Sequence, residues 1–370
     1  MTATWPPVRD RSIVVTAPGR VEIVEEEAAP VGPGCFRART LFSGVSAGTE
    51  LSCIRGTSPA PYVGWDSAIG LFHGPAERAY PVTRLGYMDV ARVEQSRTPS
   101  VAEGAVVAMT YGHRTAYLGD PLRDPVVTLP DDLDPILGIY VAHMGPICAN
   151  GLLHAAADQY GGVVRSLADG VAGLHVAVTG AGVVGLLTAL FARAYGAASV
   201  VVLDPTPERR AVAEALGLSS LSTGAEADDP AVVVKAAWRH AADDRGADVV
   251  FQCRGRGWAL HLAPRLLRPQ GTVVDLAFYQ GGADGLPLGA EFHHNGLALR
   301  CAQIGRVPRG LGSRWDRDRL SAETVELLRH DGAAIRRHLI TAVVGFDDAP
   351  DLLGDLAARR RSVVQAVIRV

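Results

Sequence analysis

Between His175 and Arg210 the sequence reads HVAVTGAGVVGLLTALFARAYGAASVVVLDPTPERR, and these residue types at this spacing can hold a dinucleotide. Gly180-Ala181-Gly182-Val183-Val184-Gly185 follows an apolar run and opens an amphipathic stretch, and a second apolar run ends in Asp204, about 20 residues on. Gly180 permits a tight reversal, Gly182 lets the backbone approach a pyrophosphate, and Gly185 lets helix and strand pack closely. The helix that starts at Val183 and Val184 offers free N–H donors and a positive dipole end to the phosphates. Asp204 is expected to accept hydrogen bonds from the adenosine ribose and to repel a 2′-phosphate. NAD(H) is therefore favoured, and Arg209 and Arg210 beside it leave NADP(H) open.

Positioning that turn requires strands alternating with helices. From about Gly145 onward, strand-like runs at His175–Thr179, Ser199–Leu203, Asp248–Gln252, Thr272–Ala277 and Ala298–Ile304 alternate with helix-length stretches. Those stretches cover residues 183–195, 207–216, 230–242 and 257–267, the pattern of βαβ units on a parallel sheet. The first 145 residues have another texture: short β-branched segments such as Ser12–Val15, Arg20–Val24, Cys35–Leu41, Ala91–Glu94 and Ala105–Thr110, punctuated by Gly and Pro. After residue 310 the chain offers one helix at 319–329, then strands at Leu339–Val344 and Ser362–Val370 that match the first region better than the middle. The expected class is α/β, with a β-rich domain at 1–146, a nucleotide-type domain at 147–308 and a return to the first at 309–370.

Composition narrows the function classes. Of 370 residues, 48% are hydrophobic and 20% charged, enough apolar material for a sizeable core. The net charge of −3 advertises neither nucleic acid nor an anionic membrane as a partner. Cys35, Cys53, Cys148, Cys253 and Cys301 are scattered, odd in number and without a CxxC pair, which argues for buried free thiols in a reducing compartment. The N-terminus lacks an apolar leader, and the apolar tract at 175–203 is broken by glycines and Arg193. A soluble, cytoplasmic protein acting on a small molecule is expected. Lys235 is its single lysine.

Several local texts then resemble the medium-chain dehydrogenase/reductase family, the zinc alcohol dehydrogenase superfamily, over essentially the whole chain. Phe42-Ser43-Gly44-Val45-Ser46-Ala47-Gly48-Thr49-Glu50 looks like the family's glycine-cysteine-glycine-x-aspartate stretch. Leu85-Gly86-Tyr87-Met88-Asp89 falls where the family writes glycine-histidine-glutamate, and Glu103-Gly104-Ala105-Val106-Val107 resembles its glycine-aspartate-arginine-valine strand. Ile340, Phe346, Asp347 and Ala349 match its usual finish. The resemblance implies a discontinuous GroES-like β domain, a Rossmann domain, and a homodimer or homotetramer. It is closest to a divergent branch with Ser-Ala-Gly-Thr-Glu and a Gly-Tyr pair, which includes bacteriochlorophyllide-type and sugar or cyclitol dehydrogenases.

Departures from the family matter most at the metal. Catalytic zinc there needs three protein ligands and an open fourth position. At those positions this sequence offers Ser46, Tyr87 and a displaced Cys148, and no cysteine lies between Cys53 and Cys148 to build a structural zinc lobe. No zinc is expected; a rebuilt site would have to recruit Glu50, His73, Asp89, His113 or His143. Hydride transfer without a Lewis acid requires a side chain to handle the alcohol proton. Tyr87 is the first candidate, needing a neighbouring cation to act as a base near pH 7. His113 and His143 could orient it or relay protons, while Ser46, Thr49 and Glu50 lie on the loop expected beneath the nicotinamide. The alternative for Tyr87, His113 and His143 is ordinary packing, and for Glu50 a local cap or ion pair.

On the cofactor side, the turns Cys253-Arg254-Gly255 and Ala277-Phe278-Tyr279-Gln280-Gly281 should flank the nicotinamide, with Cys253 and Ala277 contributing backbone contacts. His293-His294 is expected at the domain junction, and the arginines from Arg306 to Arg319 form either a solvated loop or an anion contact. The expected activity is an NAD-dependent, zinc-independent oxidoreduction of a secondary alcohol or ketone: a sugar, a cyclitol or a specialised metabolite. The alternatives are an NADPH-dependent zinc-less quinone or enoyl reductase, and a non-catalytic nucleotide-binding or regulatory protein on a dehydrogenase fold.

Overall fold

A computed structural model of the chain describes residues 9–58, 63–75 and 80–370; the first residues, which bear on a secretory leader, lie outside them. In chain order the strands of the first half are β1 (Arg9–Ala17), β2 (Arg20–Glu27) and β3 (Phe36–Gly44), then, after α1 (Glu50–Arg55), β4 (Val63–Asp66) and β5 (Leu71–Pro75). They continue with β6 (Asp89–Ser96), β7 (Val106–Met109), β8 (Ala116–Gly119) and β9 (Val127–Thr128). The middle runs α2 (Met144–Tyr160), β10 (His175–Thr179), α3 (Val183–Ala194), β11 (Ser199–Asp204), α4 (Pro207–Ala215), β12 (Ser219–Ser222) and α5 (Pro230–Ala237). It continues with β13 (Ala247–Gln252), α6 (Gly257–Leu266), β14 (Leu267–Asp275), β15 (Ala298–Cys301) and α7 (Arg317–Ala334). The chain closes with β16 (Ile340–Gly345), α8 (Ala349–Ala357) and β17 (Gln365–Arg369).

The chain divides into two compact units, Met1–His143 with Ile340–Val370, and Met144–Leu339. In the first, seven strands form a sheet of order β16-β17-β3-β6-β7-β9 with β8 paired to β3. Alternation along its strands sends Phe36, Ala38, Ala91, Val93, Val107 and Met109 into one core. A second core joins Ile13 and Val15 to Leu352, Leu353 and Leu356 of α8.

The second unit is a six-stranded sheet of order β12-β11-β10-β13-β14-β15. Every pair in it is parallel. Parallel strands covered on both faces bury successive residues, which is why β10 and β13 carry the unbroken apolar runs 176–178 and 249–251. This is the doubly wound sheet expected, with its glycine turn directly after the central β10.

Several boundaries differ from expectation. The second unit extends to Leu339 rather than 308, because α7 packs on α2: a Cβ at Gly145 would run into the Thr324 side chain. Helix α5 stops at Ala237 rather than 242, since Trp238 turns extended and its ring stacks on His175 at 5.1 Å. Strands β14 and β15 end at Asp275 and Cys301, short of the 277 and 304 expected, where the chain leaves the sheet in turns. All five cysteines are free thiols. Lys235 lies half-buried on α5 and donates from Nζ to the carbonyls of Leu267 (2.6 Å) and Arg245 (3.1 Å). Among the described residues no helix is long and apolar enough to cross a membrane.

Candidate functional site

In the second unit the glycine turn forms a cradle that needs glycine at Gly180 and Gly185. Gly180 has φ +102°, and its N–H is held by the Leu203 carbonyl at 2.7 Å. A Cβ at Gly185 would run into the Gly180 carbonyl oxygen, so the helix can approach the strand only without one. Gly182 is the N-cap of α3, in extended backbone and without a side-chain cap, leaving the first N–H groups at Val183 and Val184 unsatisfied by a capping side chain. A Cβ at Gly182 would meet nothing nearer than Arg209 Nη1 at 3.6 Å. This open space, lined by N–H donors and a guanidinium, fits a pyrophosphate.

Asp204 ends β11 beside the glycine turn, as expected, but its carboxylate is already engaged. It is fully buried: Oδ2 accepts the Ala181 N–H at 3.0 Å and Arg254 Nη1 at 2.8 Å, and Oδ1 accepts the Thr206 N–H at 2.8 Å. It therefore braces the glycine turn from within instead of presenting a bare carboxylate to a ribose. Arg254, from the turn after β13, lies over the Trp258 ring at 5.2 Å, and Arg210 donates to the Asp204 carbonyl at 2.8 Å. Burial pushes the Arg209 guanidinium below the usual arginine value; the Asp204 charge opposes this and Arg254 adds to it. Sequence reasoning placed Arg254 at the nicotinamide end, whereas it covers Asp204. Cys253 and Ala277 do flank the carboxyl ends of β13 and β14, but the Ala277 N–H is already engaged by Asp275 Oδ1 at 2.9 Å. Burial, with the nearby Cys148 thiol, pushes the Cys253 thiol well up.

In the first unit the loop after β3 and the residues before β6 bring four of the expected groups together. Tyr87 Oη hydrogen-bonds to Ser46 Oγ and lies 3.5 Å from Thr49 Oγ1. The His143 ring meets the Tyr87 ring edge-on, centroids 4.4 Å apart. Ser46 is held by its backbone, whose N–H donates to Glu50 Oε1 at 2.7 Å across the start of α1.

Glu50 and His113 sit behind this group and are sealed from solvent, so neither touches a substrate. They belong to a buried chain that sequence reasoning only half found. His113 Nε2 meets Glu50 Oε2 at 2.8 Å, His113 Nδ1 meets Ser43 Oγ at 2.6 Å, and Ser43 donates to Asp89 Oδ1 at 2.6 Å. Asp89 Oδ2 accepts the N–H groups of Tyr111 (3.0 Å) and Gly112 (2.9 Å). Gly86 makes room, since a Cβ there would lie 2.8 Å from His113 Cε1. Burial alone would push the His113 imidazole down, yet the charge and hydrogen bond of Glu50, helped by Asp89, carry it above the ordinary histidine value. Asp89 is pushed up by burial, against His113, Ser43 and the two N–H donors.

The expected cation beside Tyr87 is replaced by an anion. Burial pushes the phenol above the usual tyrosine value, its hydrogen bonds to Ser46 and Thr49 hold it back, and the Glu50 charge adds to the rise. At neutral pH Tyr87 therefore keeps its proton: it is suited to donate one, not to take one.

These donors do not fit zinc. Ser46 and Tyr87 offer hydroxyls bonded to each other, and Glu50 is committed to His113. The Cys148 thiol, bonded to the carbonyls of Met144 (3.3 Å) and Val184 (3.4 Å), is pushed up to about 12 by burial. Glu50, Asp89 and His113 do come together, but as one closed hydrogen-bonded chain, while His73 is exposed on β5. Among the described residues no three His, Cys, Asp or Glu side chains are grouped to hold a metal ion. His293 and His294 are exposed, with ring centroids 5.6 Å apart. In the arginine run, Arg319 stacks on Trp315 at 3.6 Å and donates to the carbonyl of Arg314 at 2.9 Å.

Comparison with known proteins gives a consistent picture. A family model described as zinc-binding dehydrogenase matches residues 183–309. D-guloside 3-dehydrogenase of Escherichia coli (strain K12) is 25% identical over 352 residues, 92% of this chain and 94% of that protein. Galactitol-1-phosphate dehydrogenase from Escherichia coli shares the fold with a TM-score of 0.73 at 17% identity, covering 97% of this chain and 100% of that one. The 2R,3R-butanediol dehydrogenase from Bacillus subtilis does so with a TM-score of 0.72 at 19% identity, covering 98% and 99%.

Proposed function

We propose that the chain is a medium-chain dehydrogenase/reductase and that it reduces a ketone of a polyhydroxylated molecule, a sugar or cyclitol, to the secondary alcohol, and reversibly oxidises the alcohol, without a catalytic metal. The observation that carries this reading is the Tyr87–Ser46 hydroxyl pair with a protonated phenol. Its likeness to a sugar dehydrogenase over nearly the full length supports the substrate class.

A bound nicotinamide dinucleotide supplies or receives the hydride. The chain's own residues handle the oxygen. When hydride reaches the carbonyl carbon, the oxygen gains negative charge and must take a proton; Tyr87 Oη donates it. Ser46 Oγ then donates to the phenolate left behind, and Glu50, through the Ser46 N–H, keeps that hydroxyl in place. Alcohol oxidation runs these steps backwards, so Tyr87 has to be deprotonated first. Reduction is therefore expected to be level between about pH 6 and 9, and oxidation to rise with pH towards and beyond the ordinary tyrosine value of about 10.

Zinc independence has a direct measurement. Purified protein is expected to contain well under one zinc per chain, with turnover of polyols or ketones unaffected by prolonged chelation. About one zinc per chain, lost together with activity, would refute the metal-free reading.

The cofactor proposal departs from the bare-sequence preference for NAD(H). With Asp204 neutralised by Arg254 and flanked by Arg209 and Arg210, its repulsion of a 2′-phosphate is cancelled, so NADP(H) is accepted alongside NAD(H). Titration of NADH and NADPH, followed by energy transfer from the tryptophans, is expected to give affinities within about tenfold of each other, roughly 1.4 kcal/mol. Arg254→Ala uncovers Asp204 and is expected to shift the preference towards NADH by at least that factor. NADH binding far tighter than NADPH in the unaltered protein would restore Asp204 as a ribose reader.

A further inference from the structure

At the carboxyl edge of the parallel sheet, three strand ends are tied by side chains. Thr179 closes β10, and its hydroxyl donates to Oε1 of Gln252, the last residue of β13. Gln252 Nε2 donates to the carbonyl of Arg254 (2.8 Å) and to Tyr279 Oη (3.0 Å). Asp275 ends β14, accepts the Ala277 N–H at 2.9 Å and is hydrogen-bonded by Tyr279. The cluster begins one residue before Gly180, so it continues the phosphate cradle away from Asp204 and towards β14.

Asp275 is 9% exposed. The titratable groups that face it are Tyr279 on its own loop, Cys253 at the end of β13 and Cys301 at the end of β15. All three are acids that burial, together with the Asp275 charge, pushes up, so they stay neutral. No cation faces Asp275 among the described residues. Burial raises its carboxyl to about 6, with Ala277 and Tyr279 holding it back.

A carboxylate withdrawn from water without a positive partner is costly, and a ligand that brings the charge relieves that cost. Ligands of doubly wound sheets lie outside the carboxyl ends of the strands, across the crevice beside the first glycine turn. With the adenosine end at β11, the far end of the dinucleotide lies towards β13 and β14. The only cationic group of an oxidised nicotinamide dinucleotide is its pyridinium ring. Resting on the dinucleotide reading above, we propose that Asp275 is the counter-ion of the oxidised nicotinamide ring, so that the second unit distinguishes the two oxidation states of its cofactor and couples that choice to a proton.

The sign follows from linkage. A positive ring beside Asp275 lowers its proton affinity, so NAD⁺ or NADP⁺ binding near pH 6 releases up to about half a proton. Affinity for the oxidised form rises as pH climbs through about 6 and then levels. The neutral dihydronicotinamide ring of the reduced form produces neither effect.

The test is calorimetric titration of the full chain with NAD⁺, NADP⁺, NADH and ADP-ribose between pH 5.5 and 7.5, in two buffers of different ionisation enthalpy. A downward displacement of one pKa unit tightens oxidised cofactor about threefold across that range. NADH and ADP-ribose should show no change, and Asp275→Asn should abolish proton release and flatten the oxidised-form profile while retaining ADP-ribose affinity. Proton release that persists in Asp275→Asn, or an equal pH dependence for ADP-ribose, overturns the assignment. ADP-ribose binding beside a pH-independent NAD⁺ and NADP⁺ removes only Asp275. Failure of all four nucleotides to bind removes the dinucleotide reading itself and this assignment with it.

Discussion

Tyr87→Phe is expected to lower kcat for ketone reduction by about 10²–10⁴-fold, the usual worth of a positioned proton donor. The variant removes one oxygen from a half-buried ring whose contact with His143 and packing are otherwise retained. Dinucleotide affinity, carried by the second unit, should stay as it was, so the loss appears in kcat and not in cofactor binding. Steady-state kinetics on a ketone turned over by the unaltered protein, beside a cofactor titration, separates the two. Unchanged turnover would remove Tyr87 from the chemistry and leave the Ser46 hydroxyl as the group to examine. A loss confined to cofactor affinity would contradict the division of labour between the units.

The second large effect is on stability. His113→Ala should destabilise the first unit by about 3–5 kcal/mol, because it leaves Glu50 and Asp89 as buried carboxylates with their shared cation gone. Denaturant titration at pH 6 reads this directly, and a change below about 1 kcal/mol would mean the pair is held neutral. The unaltered protein carries a pH signature of the same interaction. Since the native imidazole binds its proton more tightly than an unfolded histidine, the stabilisation is fully present below about pH 6.5. It is lost progressively as pH rises through the higher native value. Stability that rose over that interval, with no other group titrating, would reverse the assignment.

The glycine turn was legible because its demands fall on backbone. Gly180 is required by its positive φ and Gly185 by the close approach of helix to strand, and such requirements survive in a linear sequence. Asp204 was legible in position but not in allegiance, since Arg254 comes from a strand two places away in the sheet order and no spacing rule connects them. The Asp89–Ser43–His113–Glu50 chain was hidden for a similar reason. Its members lie on β3, α1, β6 and the turn after β7, and only antiparallel pairing such as Asp89 with Met109 brings them together. Tyr87 was recognised, but its protonation depends on Glu50, whose reach to Ser46 the sequence does not encode. Helix α2 escaped notice because it is buried on nearly every side from Met144 to Ala156 and carries Gly145, Pro146 and Gly151, so it lacks the polar face that betrays a surface helix. Strand β12, four residues reading Ser-Ser-Leu-Ser at a sheet edge, has too little apolar pattern to announce itself.

The tethering of Lys235 has a practical consequence for handling the protein. Its ε-ammonium is the only one in the chain and is spent on two carbonyls, at the end of the 245–246 turn and the start of β14. Amine-directed cross-linkers, dyes and coupling resins therefore meet a single lysine, half-buried and already hydrogen-bonded. A lysine-specific protease has one address, between residues 235 and 236, and reaches it only when α5 lifts from the sheet. A single cut into two fragments thus becomes a clock for the opening of the second unit, readable on a gel without any label.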